Sequence, residues 1–380
     1  MIQEVKTFTK SLDWILIMLV GILPVIGLAV LYSASFDPDI EHRFFFWSFN
    51  SHLVFRQLNY FLISLVFMFI VASIPPRLSY RFAHVAYASA LLLLLSVLVY
   101  GTISNGSRRW LHLGFINLQP SELMKVGVIL ALARYLSRVP PKDGLYTCKE
   151  LFMPACIVLL PMLVILRQPD LGTALSIGAI GASMILFIGV KRSVLFGLSI
   201  FSTIGGAVGW LWFLHPYQKK RILTMFNPEA DPRGSGYQII QSKIAVGSGE
   251  LFGKGYLEGS QTRLEFIPER TTDFIFSVFA EEWGFLGSMV ILGLYLLLLF
   301  RLLTQSTKAK EYFGVLVTVG VVGKIFFHVF VNLGMVVGFL PVVGLPLPLM
   351  SYGGSSLMTT FFSIGLALSV TAQRSVFSYR

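Results

Sequence analysis

Three observations predict an all-α polytopic membrane protein of about ten transmembrane helices. Of the 380 residues, 55% are hydrophobic and only 13% are charged. The mean hydropathy is +0.74. The apolar residues gather in runs close to the roughly 20-residue length that a helix needs to cross a bilayer. This composition excludes a soluble globular domain. The whole chain, 1–380, reads as one membrane domain.

The first apolar run, Trp14 to Tyr32, is about a full span long, shows no cleavable-signal pattern and is expected to stay in the protein. Pro24 lies inside it, which membrane helices tolerate. Val54 to Ile74 is the second span, with Arg56 near its start and Pro75-Pro76 at its end; Phe82 to Tyr100 is the third. A turn-rich segment with Arg108, Arg109 and Trp110 follows. Ser121 is the expected N-cap of a short fourth span, Ser121 to Leu136, which carries Glu122 and Lys125. Leu151 to Leu166 is the fifth, and a break at Arg167 to Gly172 precedes a sixth that runs to Val190. Lys191 and Arg192 mark a tight hairpin before a seventh span that ends near Leu214. Residues 215–272 form the one long polar segment. The eighth span is Asp273 to Phe300, the ninth Phe313 to Leu333 with Lys324 and His328 inside it, and the tenth Leu357 to Val370. Between the last two, Pro341, Pro346 and Pro348 with Gly338 and Gly344 break any helix. A re-entrant Pro/Gly loop ending at Ser351 is expected, since non-helical backbone at membrane depth must be buried in protein or line a cavity.

The net charge of +11 reads as cytoplasmic loop bias rather than nucleic-acid binding. An even number of spans puts both termini on one side. Arg77, Arg81, Arg134, Arg138, Lys191, Arg192, Arg301 and Lys308 share that side. Both termini are therefore expected in the cytoplasm, with the 215–272 loop outside. The unusual polar stretches then all fall on the external face, which points to a site there. Cys148 and Cys156 belong to no metal-spaced cluster and read as reduced thiols; the six histidines are scattered; nucleic-acid motifs are absent.

Ionisable residues inside a membrane are functional candidates by default. They crowd the stretch Glu265 to Gly284, where Glu269, Arg270 and Asp273 precede Glu281 and Glu282. If a helix begins near Thr272, Asp273 and Ser277 share a face, with Glu281 about 80° from Asp273 and Glu282 about 180° away. Asp273 and Glu281 are then expected to address one cavity. Glu122 and Lys125, spaced i, i+3, suit an ion pair, structural or functional. Asp170 is expected to cap the sixth helix. Gly247, Gly249, Gly253, Gly255 and Gly259 leave two readings open, a flexible external loop or an anion site with Lys243, Lys254, Arg263 and Arg270. The spacing is not that of a P-loop, and nothing implies a nucleotide. On these residues alone the chain is a transporter or a membrane-embedded enzyme acting on a lipid-linked substrate.

The run GSGELFGKGYLEGSQTRLEFIPERTTDFIFSVFAEEWG resembles the signature of the SEDS family. Further matches, in family order and over most of the chain, are QPSELMK, QPDLGTAL, DPRGSGYQIIQSKIAVGSG and LPVVGLPLPLMSYGGSS. The forms QSKIA, GKG and LEFIPE resemble its RodA branch more than its FtsW branch. Glu250 departs from a usual glycine and Ser277 from a usual alanine. The resemblance implies a peptidoglycan glycosyltransferase that polymerises lipid II at the outer leaflet of the bacterial cytoplasmic membrane during elongation. It implies that Asp273, in the TDFIF motif, is the essential aspartate, and that Glu122 and Lys125 are the family's paired acid and lysine. The implied partners are a class B penicillin-binding protein and the MreB–MreC–MreD machinery. An inverting displacement at the anomeric carbon assigns Asp273 the role of general base. Arg109, Lys125, Arg270 or a bound divalent cation (Mg²⁺ or Mn²⁺) would meet the leaving pyrophosphate. The supporting or substrate-binding candidates are Glu122, Lys125, Arg109, Arg108, Arg56, Asp170, Lys243, Lys254, Arg270, Glu281 and Ser351. A lipid II flippase and a non-catalytic scaffold for a transpeptidase are the competing expectations. A flippase predicts polar groups spread across both leaflets and an inverted repeat.

Overall fold

Helices make up most of the computed structural model, which describes residues 12–36, 42–44, 47–49, 51–104, 107–113, 116–141, 144–232 and 234–376. They are α1 (Trp14–Ala34), α2 (His52–Ser73), α3 (Pro76–Tyr100), α4 (Pro120–Arg138), α5 (Phe152–Arg167), α6 (Leu171–Ile188) and α7 (Arg192–Val208). Then come α8 (Pro216–Phe226), α9 (Ser235–Ser248), α10 (Ser260–Arg263), α11 (Ile275–Ser306), α12 (Tyr312–Val336) and α13 (Gly354–Val376). Among the described residues seven helices are long and apolar enough to cross a membrane, namely α1, α2, α3, α6, α7 with its following turn, α11 and α12. Helix α5 and the Gly354–Val370 part of α13 are shorter apolar helices. Helix α4 carries Glu122, Lys125, Arg134 and Arg138, yet most of its residues are buried. Each apolar stretch read as a span lies largely in one of these helices.

Local chemistry sets the boundaries. Helix α3 begins at Pro76, earlier than expected, because proline suits a first helical turn whose N–H groups have no partner. The same rule overturns the Ser121 cap. Pro120 is the first residue of α4, Gln119 takes the cap position without a side-chain bond, and Ser121 is inside the helix. Asp170 does cap α6, accepting from the Thr173 N–H at 3.2 Å and its hydroxyl at 2.9 Å. Two small antiparallel sheets, not expected from the sequence, join the helices. One pairs β1 (His42–Phe44) with β2 (Trp47–Phe49); the other orders β3 (Thr102–Ser104), β4 (Ser107–Leu113) and β5 (Ile116–Leu118) side by side. No residue of α7 is buried, so it packs as a peripheral helix.

The basic end of the bundle is latched by Asp13. Its carboxylate caps α1 at the Leu16 N–H (3.1 Å) and pairs with Arg301 near the end of α11 at 2.8 Å. At the opposite end the described residues of the 215–272 segment include helices α8, α9 and α10. Its glycines serve a break in α11. Gly284 has φ 66° and ψ −163°, so the helical ladder fails on either side of it. The freed carbonyls of Glu281 and Glu282 accept from the N–H groups of Lys254 (3.0 Å) and Gly255 (3.1 Å). The freed N–H groups of Phe285 and Leu286 donate to the carbonyls of Glu250 (2.9 Å) and Leu251 (3.1 Å). Residues 250–255 thus replace the missing turn, pairing backbone groups that the break at the buried Gly284 would otherwise leave without partners. The segment is packed against α11, and the N–H groups of Lys254 and Gly255 are committed to its carbonyls.

Two neighbouring substitutions should have opposite signs. Gly253 has φ +83°, and a Cβ there would come within 2.0 Å of the Glu282 carbonyl oxygen. Gly253→Ala is expected to lower the unfolding temperature in detergent sharply. Glu250, at φ 47°, holds a left-handed backbone that costs a non-glycine residue about 1 kcal/mol. Glu250→Gly is expected to raise that temperature.

Candidate active site

Five segments distant in sequence meet at the end of the bundle opposite Asp13. They are β4, the α5–α6 break, α8, the turn before α11 and the Pro/Gly run between α12 and α13. Asp273 lies in the turn, two residues before α11 begins, so the expected helical face shared with Ser277 does not form. Its backbone carbonyl accepts from Asn332 of α12 at 2.8 Å. The same Asn332 amide donates to the carbonyl of Leu345 at 2.9 Å. A Cβ on Gly344 would lie 3.4 Å from Asp273 Oδ2, so the Pro/Gly run walls one side of the carboxylate. Ser351 fixes the preceding residues: its hydroxyl donates to the Thr272 carbonyl at 2.5 Å and accepts from the Leu347 N–H at 2.8 Å.

Asp273 retains accessible surface although protein surrounds it. Burial, helped by the neighbouring Glu269 carboxylate, pushes its carboxyl up to about 7. Arg221 and Arg109 oppose that rise, which places both guanidinium groups in its field. Arg109 donates to the Pro169 carbonyl at 3.2 Å and pairs with Asp170 at 3.5 Å. Arg221 donates to the Val342 carbonyl at 3.2 Å, and Tyr217, one turn earlier on α8, donates to Pro169 at 2.7 Å. The result is one carboxylate of raised proton affinity in the field of two permanent cations.

A second polar cluster lies deeper. Glu122 and Lys125 pair at 2.6 Å, with Lys125 fully buried. Lys125 Nζ also meets His328 Nε2 at 3.1 Å, and Thr359 donates to Glu122 at 2.9 Å. Lys324 lies close enough to attract Glu122 and donates to Ser363 at 3.2 Å. These groups reach toward the middle of α12 rather than staying at the external loops.

The remaining candidates are elsewhere. Glu281 is fully buried and faces the glycine segment: Lys254 at 2.7 Å, Ser260 at 3.2 Å and the N–H groups of Gln261 (3.0 Å) and Thr262 (3.3 Å). It does not join Asp273. Arg270 ties the loop to the end of α1, donating to the Ala34 carbonyl at 2.7 Å and to Glu265 at 2.6 Å. Lys243 lies over the turn at Gly338. Arg56 is exposed beside Tyr60 and Tyr352. The Arg108 side chain lies outside the described residues; its backbone pairs with Ile103 in the sheet. Sequence reasoning misses Arg221 and Tyr217, which sit inside a long polar segment, and Asn332. The spacing Lys324, His328, Asn332, four residues apart on an apolar helix, is the signal for a buried polar face.

A family model described as a cell cycle protein, FtsW/RodA/SpoVE, matches residues 12–376. The chain belongs to this family. It is 39% identical over 379 residues to the peptidoglycan glycosyltransferase MrdB of Escherichia coli K12, covering 98% of this chain and 97% of that one. Its structure is similar, with TM-score 0.80 and 37% identity, to a chain from a peptidoglycan synthase complex that coordinates polymerization and crosslinking; the match covers 96% of this chain and 98% of that one. Thermus thermophilus rod shape determining protein RodA is similar with TM-score 0.69 and 32% identity, over 96% of this chain and 97% of that one. Together with the apolar helices, membership makes this a multi-pass membrane protein.

The buried cluster yields an asymmetric prediction. Removing one partner of a buried ion pair costs about 3–5 kcal/mol, because the other charge is left unpaired. Glu122→Gln strands Lys125 beside Lys324, whereas Lys125→Met leaves Glu122 with Lys324 and Thr359. Glu122→Gln is expected to destabilise more. The double variant should recover part of the loss, as read by unfolding temperatures in a double-mutant cycle.

Proposed function

We propose that the chain is a peptidoglycan glycosyltransferase that polymerises lipid II into β-1,4-linked glycan at the outer face of the bacterial cytoplasmic membrane during elongation. The observation that carries this reading is Asp273, a carboxylate of raised proton affinity, standing in the field of Arg109 and Arg221. The names of the related proteins support it. So does the grouping of Arg77, Arg134 and Arg301 at the end opposite Asp273, which fits cytoplasmic termini.

The chemistry follows from the substrate. Lipid II presents an anomeric carbon bonded to a lipid pyrophosphate in the α configuration. The acceptor 4-hydroxyl attacks from the opposite face. The new C1–O4 bond forms as the C1–phosphate oxygen bond breaks, and the product is β. The hydroxyl proton passes to the Asp273 carboxylate. A carboxylate of raised proton affinity suits this step, because general-base efficiency is greatest when the pKa lies near the working pH. The leaving lipid pyrophosphate departs as an anion and needs positive charge, which Arg109 and Arg221 supply as preorganised cations. Lys125 is bound to Glu122 and His328, and Arg270 to Ala34 and Glu265, so neither is assigned that task. Among the described residues no three His, Cys, Asp or Glu side chains form a metal cluster. A Mg²⁺ or Mn²⁺ ion is proposed as a companion of the substrate's pyrophosphate, which binds such ions with few protein ligands. A class B penicillin-binding protein and the MreB–MreC–MreD machinery are the proposed partners.

Polymerisation of purified lipid II by the detergent-solubilised protein, with and without a transpeptidase partner, tests the reading. Asp273→Asn is expected to lower the rate by about 10²–10⁴-fold. The base must be ionised to act. Activity should therefore rise with pH about tenfold per unit below the Asp273 value of about 7 and level off above it. A wild-type rate in the Asn variant would remove Asp273 from this role. No product from the wild type with its partner would shift weight to lipid II transport or scaffolding. Arg109→Ala and Arg221→Ala are each expected to cost about 10²-fold in kcat. Arg270→Ala should act chiefly on stability, which thermal unfolding beside the kinetics separates.

A further inference from the structure

Helix α12 turns three polar side chains inward at successive turns, Lys324, His328 and Asn332, all buried. Asn332 holds the carbonyls of Asp273 and Leu345, as described. His328, one turn earlier, meets Lys125 Nζ through Nε2 at 3.1 Å, and its ring also faces the backbone of Pro346. An ammonium group has no lone pair, so Nε2 accepts from Lys125 and the neutral imidazole carries its proton on Nδ1. Leu345 and Pro346 are consecutive, and Gly344 before them stands against the Asp273 carboxylate. One helix face therefore links the Glu122–Lys125 ion pair to the wall of the site.

We propose that His328 is a positioning residue for glycan polymerisation. It fixes the 344–346 segment relative to the Glu122–Lys125 pair, and with Asn332 it sets where the Asp273 carboxylate points. The proposal rests on the reading of Asp273 as the base. The imidazole serves because it accepts on one edge and donates on the other, which no apolar side chain of similar size does. Displacements of about 1 Å at a reacting group cost up to about 10²-fold in rate. A link of this kind should therefore register in kcat rather than in substrate affinity.

The test compares His328→Leu with His328→Gln in full-length protein, by lipid II polymerisation kinetics and by hydrogen–deuterium exchange over residues 343–352. Glutamine can still accept from Lys125 and donate toward Pro346; leucine can do neither. His328→Leu is expected to lower kcat by about tenfold or more with KM unchanged, while His328→Gln stays within about threefold of the wild type. Exchange across 343–352 should quicken in the leucine variant and not in the glutamine variant. If His328 only fills space, the order reverses, because leucine packs and glutamine buries extra polar groups. Wild-type kcat in the leucine variant, or equal loss in both, would overturn the proposal. Should the leucine variant not fold, His328→Asn, which reaches only one of the two partners, is read against the glutamine variant in the same way. If the wild type makes no glycan, the reading of Asp273 fails, and exchange still decides the link: unchanged exchange in the loss variant sinks it, and faster exchange upholds it.

Discussion

A single amide, Asn332, fastens the two non-helical segments on which the site depends. It donates to the carbonyl of Asp273 and to that of Leu345, 2.8 and 2.9 Å away. Neither segment has a backbone ladder of its own to satisfy those groups. In buried apolar surroundings an unpaired carbonyl costs about 1–3 kcal/mol, so the side chain that pairs two of them fixes both segments at once. Its own Oδ1 is buried without a hydrogen-bond partner. The cost of that orphaned acceptor is consistent with a residue held for placement rather than for its own bonding.

The same constraint explains why irregular backbone recurs where the chemistry is proposed. A straight helix through residues 265–284 would carry Asp273 on a surface shared with lipid or with its neighbours. Breaking the chain before Ile275 frees the carboxylate to face Arg109 and Arg221, and each break then needs bonds from elsewhere. The Gly284 break takes them from residues 250–255. The Pro/Gly run takes them from Arg221, Asn332, Tyr295 and Ser351, which bond at Val342, Leu345, Pro348 and Leu347. Helices supply rigidity, and the breaks point functional groups into the space between them.

The sequence shows the spans because their signal is local: length, apolarity and flanking charge. It shows Asp273, Arg109 and Asp170 because ionisable residues at a membrane boundary stand out singly. The expectation that Asp273 and Glu281 address one cavity fails, because it presumes a helix running through Thr272 and Asp273, where the chain instead makes a turn. The glycine segment is equally opaque. Its partners lie about thirty residues downstream, and its glycines answer a break that only the folded chain reveals. Arg221 is hidden in a polar segment whose amphipathic helix is short. The small sheets consist of strands of three to seven residues, too short for alternation to register.

The two polar clusters divide the electrostatic labour. The Glu122–Lys125 pair is dry, with Lys125 fully buried, and its charges are committed to each other, to His328 and to Thr359. A buried ammonium that left this arrangement to meet a pyrophosphate would abandon Glu122 at a cost of about 3–5 kcal/mol. The guanidinium groups at the accessible end are less tightly committed: Arg221 bonds a carbonyl, and Arg109 bonds a carbonyl and pairs with Asp170 at the longer distance of 3.5 Å. They are more weakly hydrated than an ammonium and keep donors free while bonded to a carbonyl, as Arg109 and Arg221 are at Pro169 and Val342. In the proposed mechanism anion binding therefore falls to the arginines and geometry to the buried pair. That division is also why the ion pair can matter to the reaction without touching the substrate.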